Sequence, residues 1–457
     1  MTNPRVASNR LGAKLAGMAV AAVLAGAAGC GSGSDIDTPG TGGSLGRGGE
    51  AAGGSTPSTG GAPGAGGGSP ATGGAPATGG APGTGGGAAA GSPGQGGART
   101  GTGGTGATGG AGAAGGHGGA AVTTGAGGSG ATGGAPGSVP IDPALLSKCS
   151  GTNPIKCTIP VATNTANYVV TVELGDPAAA SVARVQAELY RIVVPQMSIP
   201  AGQLVQQTFA ANVRTEQHDG YSAPGSVLDL LIDAPAGGPA PRLHGLGVAL
   251  NQTIPTIFVA GDSTVCDWDP ALAGIIDPLE RGWAQELSQY LTAGIAVANY
   301  ADSGETAPSF YTKFFPPART AMRAGDYLFI QFGHNDQKNS SDVTNYKANL
   351  TKYITDAHGK GVTPVIFTPV ARKGASTADP GFAGLDQQAR DLAASQNVAL
   401  VDLTNLAIAY YKTVPNVSAL FAASQGTHFN ENGATQISGV VAGALKSGTL
   451  PLRTLVK

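Results

Sequence analysis

After residue 255 the sequence alternates between short apolar runs and amphipathic stretches, and this alternation limits the possible folds most strongly. The apolar runs of strand length are residues 256–260, 295–300, 327–332, 365–370 and 399–401. Between the first two runs, Trp283, Leu287, Tyr290 and Leu291 follow the spacing of one helical face. The alternation predicts an α/β fold, a parallel sheet with helices on both faces and a site at the carboxyl ends of its strands.

Residues 145–250 follow a different pattern, in which apolar and polar side chains alternate over short distances. The alternating or apolar runs are residues 168–174, 185–194, 207–213 and 227–232, with turn residues between them. Short alternating strands at this spacing predict a small β-sandwich. It either binds glycan or packs on the following domain, and the sequence leaves both roles open.

A glycine-rich tract precedes these two regions. Residues 31–140 hold 46 of the 76 glycines and repeat Ala-Thr-Gly-Gly-Ala-Pro at 71–76, 77–82 and 131–136. The tract has too little apolar surface to offset the entropy of ordering it, so we expect a disordered tether. The expected organisation is an export signal over 1–30, the linker over 31–140, the sandwich over 141–250 and the α/β domain over 251–457.

The amino terminus is typical of an export signal. Arg5, Arg10 and Lys14 precede the apolar run 15–28, which is too short to cross a bilayer. The run ends in Ala27-Ala28-Gly29-Cys30, which resembles the lipobox of bacterial lipoproteins and implies that Cys30 carries lipid. The expected product is a cell-surface or periplasmic lipoprotein. The alternative is cleavage near the same alanines, which releases a secreted protein.

The remaining cysteines allow one disulfide, and the charge argues against a nucleic-acid partner. Cys149 and Cys157 either form a short-loop disulfide, which export permits, or remain two free thiols, and Cys266 is left over. The formal net charge is −2 without a cluster of Lys and Arg, so we expect no nucleic-acid partner. No zinc-type spacing of Cys and His occurs, so the sequence gives no metal site.

Four chemically useful residues follow the elements of the predicted α/β domain. Ser263 comes directly after the first strand, before an expected helical segment, and Gly304 and Asn335 follow the second and third strands. His428 lies just before the last helix. Each alone is consistent with a turn or a solvated loop. Their order is much more specific than any one of them.

That order resembles the SGNH (GDSL-like) hydrolases over residues 256–447, and most closely the rhamnogalacturonan acetylesterases of carbohydrate esterase family 12. The similar blocks are 260–264, 299–306, 331–338 and 427–434, which begin with Ala-Gly-Asp-Ser-Thr, Asn-Tyr-Ala, Gln-Phe-Gly-His-Asn-Asp and Thr-His-Phe. The resemblance implies a flavodoxin-like domain. Bacterial members often carry a β-sandwich ahead of it.

The resemblance also implies roles for these residues. Ser263 would be the nucleophile, His428 the general base, and the N–H groups of Ser263 and Gly304 with the Asn335 amide the oxyanion hole. The implied activity removes acetyl groups from a plant-type polysaccharide such as rhamnogalacturonan, through an acetyl-serine and without a cofactor. A membrane would be contacted only through the lipid. The alternatives are an esterase or lipase for other acyl esters, and an inactive carbohydrate-binding lipoprotein.

One position departs from the family. Its members usually have Asp three residues before the His, where this chain has Gln425. Such an Asp orients the imidazole and stabilises its cation, whereas Gln can only accept a hydrogen bond from the ring. Three outcomes remain open: a weak enzyme, a Ser–His dyad, or a substitute carboxylate such as Asp402.

Overall fold

The computed structural model describes residues 137–218, 221–223, 226–269, 280–422 and 426–457. The predicted export signal, Cys30, nearly all of the linker and Gln425 lie outside this part of the chain. No helix in the described ranges is long and apolar enough to cross a membrane.

The amino-terminal half of the described chain is a β-sandwich of two antiparallel sheets. The order is β1-β2-β9-β4-β5 in the larger sheet and β10-β3-β6 in the smaller, and β7 and β8 form a separate hairpin. The strands are β1 (Cys149–Ser150), β2 (Ile155–Pro160), β3 (Ala166–Asp176), β4 (Ser181–Ala187), β5 (Arg191–Ile199), β6 (Gln203–Val213), β7 (Glu216–His218), β8 (Tyr221–Ala223), β9 (Val227–Asp233) and β10 (Leu243–Leu250). A 3-10 helix, Pro143–Lys148, precedes them.

The sandwich has one core, built by residues from the inner faces of both sheets. A disulfide joins Cys149 on β1 to Cys157 on β2. The run 185–194, expected to be one strand, is instead a hairpin of β4 and β5. The chain reverses at 188–190, where Glu188 and Tyr190 both adopt positive φ, and the apolar content of the run hides this turn from a periodicity argument.

The second half is a five-stranded parallel sheet with the order β12-β11-β13-β14-β15. Its strands are β11 (Thr256–Gly261), β12 (Ala296–Asn299), β13 (Tyr327–Gln331), β14 (Thr363–Phe367) and β15 (Ala399–Val401). The helices are α1 (Ala307–Lys313), α2 (Phe315–Ala321), α3 (Ser340–Gly359), α4 (Leu385–Gln396), α5 (Leu403–Tyr411) and α6 (Glu431–Ser447). The 3-10 helices are Trp283–Tyr290, Asp336–Lys338, Val417–Leu420 and Pro451–Leu455. This is the α/β fold that the sequence predicts, with helices on both faces of a parallel sheet.

Alternate side chains of β11 enter two separate apolar clusters. Ile257 and Val259 of β11 pack with α5 and α6, whereas Phe258 and Ala260 pack with α1 to α4. Because helices cover both faces, every residue of β11, β12 and β13 is buried. The strand order places β11 between β12 and β13, so the loops that follow these three strands meet at one edge.

The sandwich packs on the α/β domain through buried polar contacts. Asn167 Nδ2 donates to Thr256 Oγ1 at 2.8 Å, and Gln285 Nε2 donates to the Leu189 carbonyl at 2.8 Å. At the rim, Arg184 lies 2.5 Å from a Glu431 oxygen of α6. A buried donor without an acceptor costs free energy, so these contacts favour one relative placement of the two layers.

Candidate active site

Ser263 lies in a tight turn directly after β11. The Asp262 carbonyl accepts hydrogen bonds from the N–H groups of Val265 and Cys266 at 3.0 and 3.1 Å, and the Asp262 carboxylate accepts from the Thr264 N–H at 3.0 Å. The expected helical segment after Ser263 is therefore a single turn over the residues described there. The turn fixes Ser263 at the carboxyl edge of the sheet.

A chain of buried hydrogen bonds supports this turn from below. The Thr264 hydroxyl donates to Asp262 at 2.7 Å and accepts from Gln331 Nε2 on β13 at 2.8 Å. The side-chain oxygen of Gln331, Oε1, in turn accepts from Trp283 Nε1 at 2.9 Å. Because the side chains that form these hydrogen bonds are buried, each bond is costly to break, and the turn is held rigidly.

The loops that follow β11, β12 and β13 are connected to one another. The N–H of Asp302 donates to the Gly261 carbonyl at 3.1 Å, and Asn335 Nδ2 donates to the Glu305 carbonyl at 3.1 Å. Gly304 lies between these two contacts with φ +77°, a conformation that favours glycine. The structure thus brings the loops that carry Ser263, Gly304 and Asn335 together.

His428 reaches Ser263 from a separate loop. Its Nε2 lies 2.8 Å from Ser263 Oγ, within hydrogen-bond distance. Antiparallel bridges join Phe429 to Phe421 and to Arg281, and the His428 carbonyl accepts from the Ala422 N–H at 2.9 Å. These contacts fix the backbone of His428, so its ring faces the serine without support from a helix.

The second ring nitrogen of His428 faces a carboxylate that the sequence analysis did not identify. Glu280 Oε1 lies 3.3 Å from His428 Nδ1, and only 1% of the Glu280 side chain is exposed. The Trp268 ring lies edge-on to the imidazole, with 5.7 Å between the two ring centroids. Its Nε1–H donates to the Ser263 carbonyl at 3.0 Å. Glu280 and Trp268 thus complete the environment of the Ser–His pair.

The substitute carboxylate proposed from the sequence, Asp402, is not this group. Its two oxygens accept from the Arg390 guanidinium, each at 3.0 Å. Its side chain also accepts from the Asn405 N–H at the start of α5. Asp402 is therefore a helix cap with an arginine partner. Substitution by Asp402, one of the three outcomes that the sequence left open, is therefore not what the structure shows, and the carboxylate beside His428 belongs to Glu280.

A buried Asp–His pair lies directly beside the nucleophile turn. His334 Nδ1 lies 3.4 Å from Asp262 Oδ2, and both side chains are almost fully buried. Burial lowers the pKa of His334, although Asp262 opposes the shift. Burial alone would raise the pKa of Asp262, but His334 and the hydrogen bonds from Thr264 outweigh it and lower that pKa. The pair therefore places an anionic carboxylate under the Ser263 turn.

Asp336, the residue after Asn335, behaves in the opposite way. Burial raises its pKa to about 7, although the hydrogen bond from the Ala307 N–H at 2.9 Å opposes the shift. The charge of Asp262 adds to the increase. The Asp336 carboxyl is therefore largely protonated below neutral pH while it holds the start of α1.

No local signal in the sequence identifies Glu280 or Trp268. Glu280 stands next to Arg281, and adjacent opposite charges normally indicate a solvated surface, yet both side chains are buried. Its contact with His428 joins segments far apart in the chain. Trp268 follows Ser263 closely enough to be noticed, but a tryptophan by itself indicates only a core position.

The other candidates have plain structural positions. Cys266 is buried, and its Sγ lies 3.8 Å from the Ser263 carbonyl. Within the described ranges, no group of three or more His, Cys, Asp or Glu side chains could hold a metal ion.

Comparison with known proteins finds a matching family and several similar esterases. Residues 259–435 match the GDSL-like lipase/acylhydrolase family. The chain is 32% identical over 213 residues to the probable rhamnogalacturonan acetylesterase YesY of Bacillus subtilis, covering 43% of this chain and 94% of YesY. It is 31% identical over 218 residues to the rhamnogalacturonan acetylesterase RhgT of that species, covering 43% and 92%. It is also 28% identical over 293 residues to the uncharacterized esterase YxiM of Bacillus subtilis, covering 61% and 71%.

The α/β fold places a hydrogen-bonded serine and histidine at the carboxyl edge of its parallel sheet. This arrangement is that of a serine hydrolase. The chain belongs to the GDSL-like lipase/acylhydrolase family. It is a carboxylic ester hydrolase.

Proposed function

We propose that the protein removes acetyl groups from a plant-type polysaccharide, with rhamnogalacturonan as the first candidate substrate. The hydrogen bond between His428 Nε2 and Ser263 Oγ is the observation that carries this proposal, because it couples a nucleophile to a base. The choice of an acetylated pectin rests on the relatives YesY and RhgT, whose names carry that activity.

In this mechanism His428 takes the proton of Ser263 as Oγ attacks the carbonyl carbon of the acetyl ester. The tetrahedral intermediate collapses when the sugar oxygen leaves with the proton now held by His428. Water then attacks the acetyl-serine, again losing a proton to His428. Ser263 recovers that proton as its bond to the acetyl carbon breaks, and the acetic acid released ionises to acetate in water. Each half-reaction returns the imidazole to its neutral form.

The negative oxygen of the intermediate needs donors that are in place before it forms. We assign the N–H groups of Ser263 and Gly304 and the side-chain amide of Asn335 to this task. Asn335 Nδ2 carries two hydrogens, and one is held by the Glu305 carbonyl, which orients the other. A donor of this kind typically contributes about 3–4 kcal/mol to transition-state stabilisation.

We further propose that the protein acts outside the cytoplasm, anchored through Cys30 or released after cleavage near it. The support is the sequence of residues 1–30, with a basic start, a short apolar run and small residues before the cysteine. An extracellular or periplasmic place suits a polymeric substrate and the Cys149–Cys157 disulfide.

The test is acetate release from acetylated rhamnogalacturonan and from acetylated xylan by the full chain and by Ser263→Ala. We expect release by the unaltered protein, faster from rhamnogalacturonan, and none by the variant. If neither polymer released acetate while longer acyl esters were hydrolysed, the protein would be an esterase of other specificity. No release from either polymer or from an aryl acetate, by a folded protein, would support the binding-protein alternative.

A further inference from the structure

We propose that Glu280 is the positioning residue of His428, in the place where the family usually has an Asp three residues before the histidine. This inference rests on the proposed function, since it concerns how the base of that reaction is held. Its first support is the distance of 3.3 Å between Glu280 Oε1 and His428 Nδ1. Both side chains are largely buried, 1% exposed for Glu280 and 12% for His428, so water screens their interaction weakly.

The backbone around Glu280 explains how a distant segment reaches the histidine. The Arg281 N–H donates to the Phe429 carbonyl at 2.9 Å, which ties the segment to the residue after His428. On its other side, the N–H groups of Gly282 and Trp283 donate to the carbonyls of Cys266 and Thr264 at 3.2 and 3.0 Å. The segment 280–283 therefore connects the nucleophile turn to the histidine loop and fixes Glu280 relative to both.

Gly282 is essential to this connection. A Cβ at this position would lie 2.3 Å from both the Cys266 carbonyl oxygen and the Val265 carbonyl carbon, which is closer than any real contact. Because the clash is with backbone, a side chain could be accommodated only by moving the two segments apart. The close approach of the chains, which brings Glu280 to His428, thus depends on glycine.

The chemistry favours a carboxylate at this position. For Nε2 to accept the serine proton, the imidazole hydrogen must be on Nδ1, and an acceptor beside Nδ1 selects that tautomer. When Nε2 takes the proton, the ring becomes a cation, and the nearby anion stabilises it. Glu280 can do both without itself taking a proton. An amide at the same position could accept the hydrogen bond but would supply no charge.

The decisive experiment compares Glu280→Gln with Glu286→Gln in the full chain. Glu286 is an equally buried carboxyl close in the chain, and it lies 3.8 Å from Arg281 Nε rather than against His428. Burial raises its pKa to about 8, so the second variant controls for the replacement of a buried carboxyl by an amide. We expect Glu280→Gln to lower kcat on an aryl acetate by about 10²–10⁴-fold with little change in KM. Glu286→Gln should stay within about threefold of the unaltered protein, less than about 1 kcal/mol of the barrier, because the amide replaces a carboxyl that burial keeps largely protonated at neutral pH.

Three further measurements separate positioning from folding and from the choice of substrate. Thermal unfolding should show both variants folded, and Glu280→Asp should recover at least tenfold of the activity lost in Glu280→Gln, about 1.4 kcal/mol of the barrier. A fluorophosphonate should label Ser263 more slowly in Glu280→Gln, in parallel with the fall in kcat, as followed by intact mass. This labelling rate can be measured without knowing the natural ester.

The outcomes are distinct. Labelling and hydrolysis undiminished in Glu280→Gln would overturn this inference while leaving the proposed function intact. An equal loss in Glu286→Gln would overturn it as well, because a general effect of removing buried acids would then explain the data. An unaltered protein that neither labels nor hydrolyses any ester would remove both the proposed function and the inference.

Discussion

Arg191 of the sandwich and Asp267 of the α/β domain form a buried ion pair four residues after the nucleophile. The Arg191 Nη2 atom lies 2.6 Å from Asp267 Oδ2, and Nε donates to the same oxygen at 2.8 Å. The other oxygen, Oδ1, accepts from Asn299 Nδ2 at the end of β12. A residue of the sandwich therefore supports the segment that carries Ser263, which favours packing as the role of this layer.

Replacing Arg191 by methionine should destabilise the protein strongly. The change keeps an unbranched apolar stem but removes the guanidinium that pairs with the buried Asp267 carboxylate, and breaking such a pair typically costs about 3–5 kcal/mol. Urea denaturation should show this loss. Arg242→Met is the matched control, because Arg242 is half-exposed and lies 3.7 Å from Asp176, so its loss should cost less than about 1 kcal/mol. Equal midpoints for the two variants would contradict the structural role of Arg191.

Changing Gln425 should affect catalysis far less than changing Glu280. Because a carboxylate already lies 3.3 Å from His428 Nδ1, the reaction does not require an acid at position 425. Gln425→Ala should keep kcat on an aryl acetate within about threefold, whereas removing the supporting acid of a triad costs about 10⁴-fold. Steady-state kinetics on both single variants provide the check. A larger loss in Gln425→Ala than in Glu280→Gln would reverse the assignment.

The sequence could predict the parts of this molecule that repeat a local pattern. The strands β11 to β15 are visible because each is an apolar run of the right length, and Ser263, Gly304 and Asn335 follow three of them. Glu280 could not be found in this way. Its position depends on hydrogen bonds from 281–283 to two other segments, and such non-local pairing leaves no periodic signal. The same holds for Arg191, whose partner Asp267 belongs to the other layer.

The turn between β4 and β5 was missed for a related reason. Glu188 and Tyr190 adopt positive φ, which sequence reasoning expects of glycine or asparagine. The Leu189 carbonyl between them accepts a hydrogen bond from Gln285 Nε2 of the α/β domain. A tertiary contact therefore accompanies a turn that local propensity does not predict.

Truncation of the Asn335 side chain should slow the chemical step without weakening substrate binding. The amide is proposed to contact the oxyanion only after it forms, so Asn335→Ala should lower kcat by about 10²–10³-fold with KM nearly unchanged. Asn339→Ala is a suitable control. Asn339 accepts from the Ser341 N–H at the start of α3, so its loss should cost about 1 kcal/mol of stability and leave kcat unaltered. Unchanged kcat in Asn335→Ala would remove it from the oxyanion hole.

The raised pKa of Asp336 should make stability depend on pH in a defined direction. The folded protein keeps this proton up to a pKa of about 7, whereas an unfolded aspartate loses it near 3.9. Between these values the folded state binds more protons, so the unfolding free energy falls as pH rises, by up to about 1.4 kcal/mol per pH unit from this group.

Asp336→Asn removes the titration, while the amide oxygen can still accept from the Ala307 N–H. In urea denaturation at pH 5, 6, 7 and 8, the stability of the variant relative to the unaltered protein should therefore increase from pH 5 to 7 and then level off. Parallel stability curves over this range would show that the Asp336 carboxyl is not protonated in the folded state.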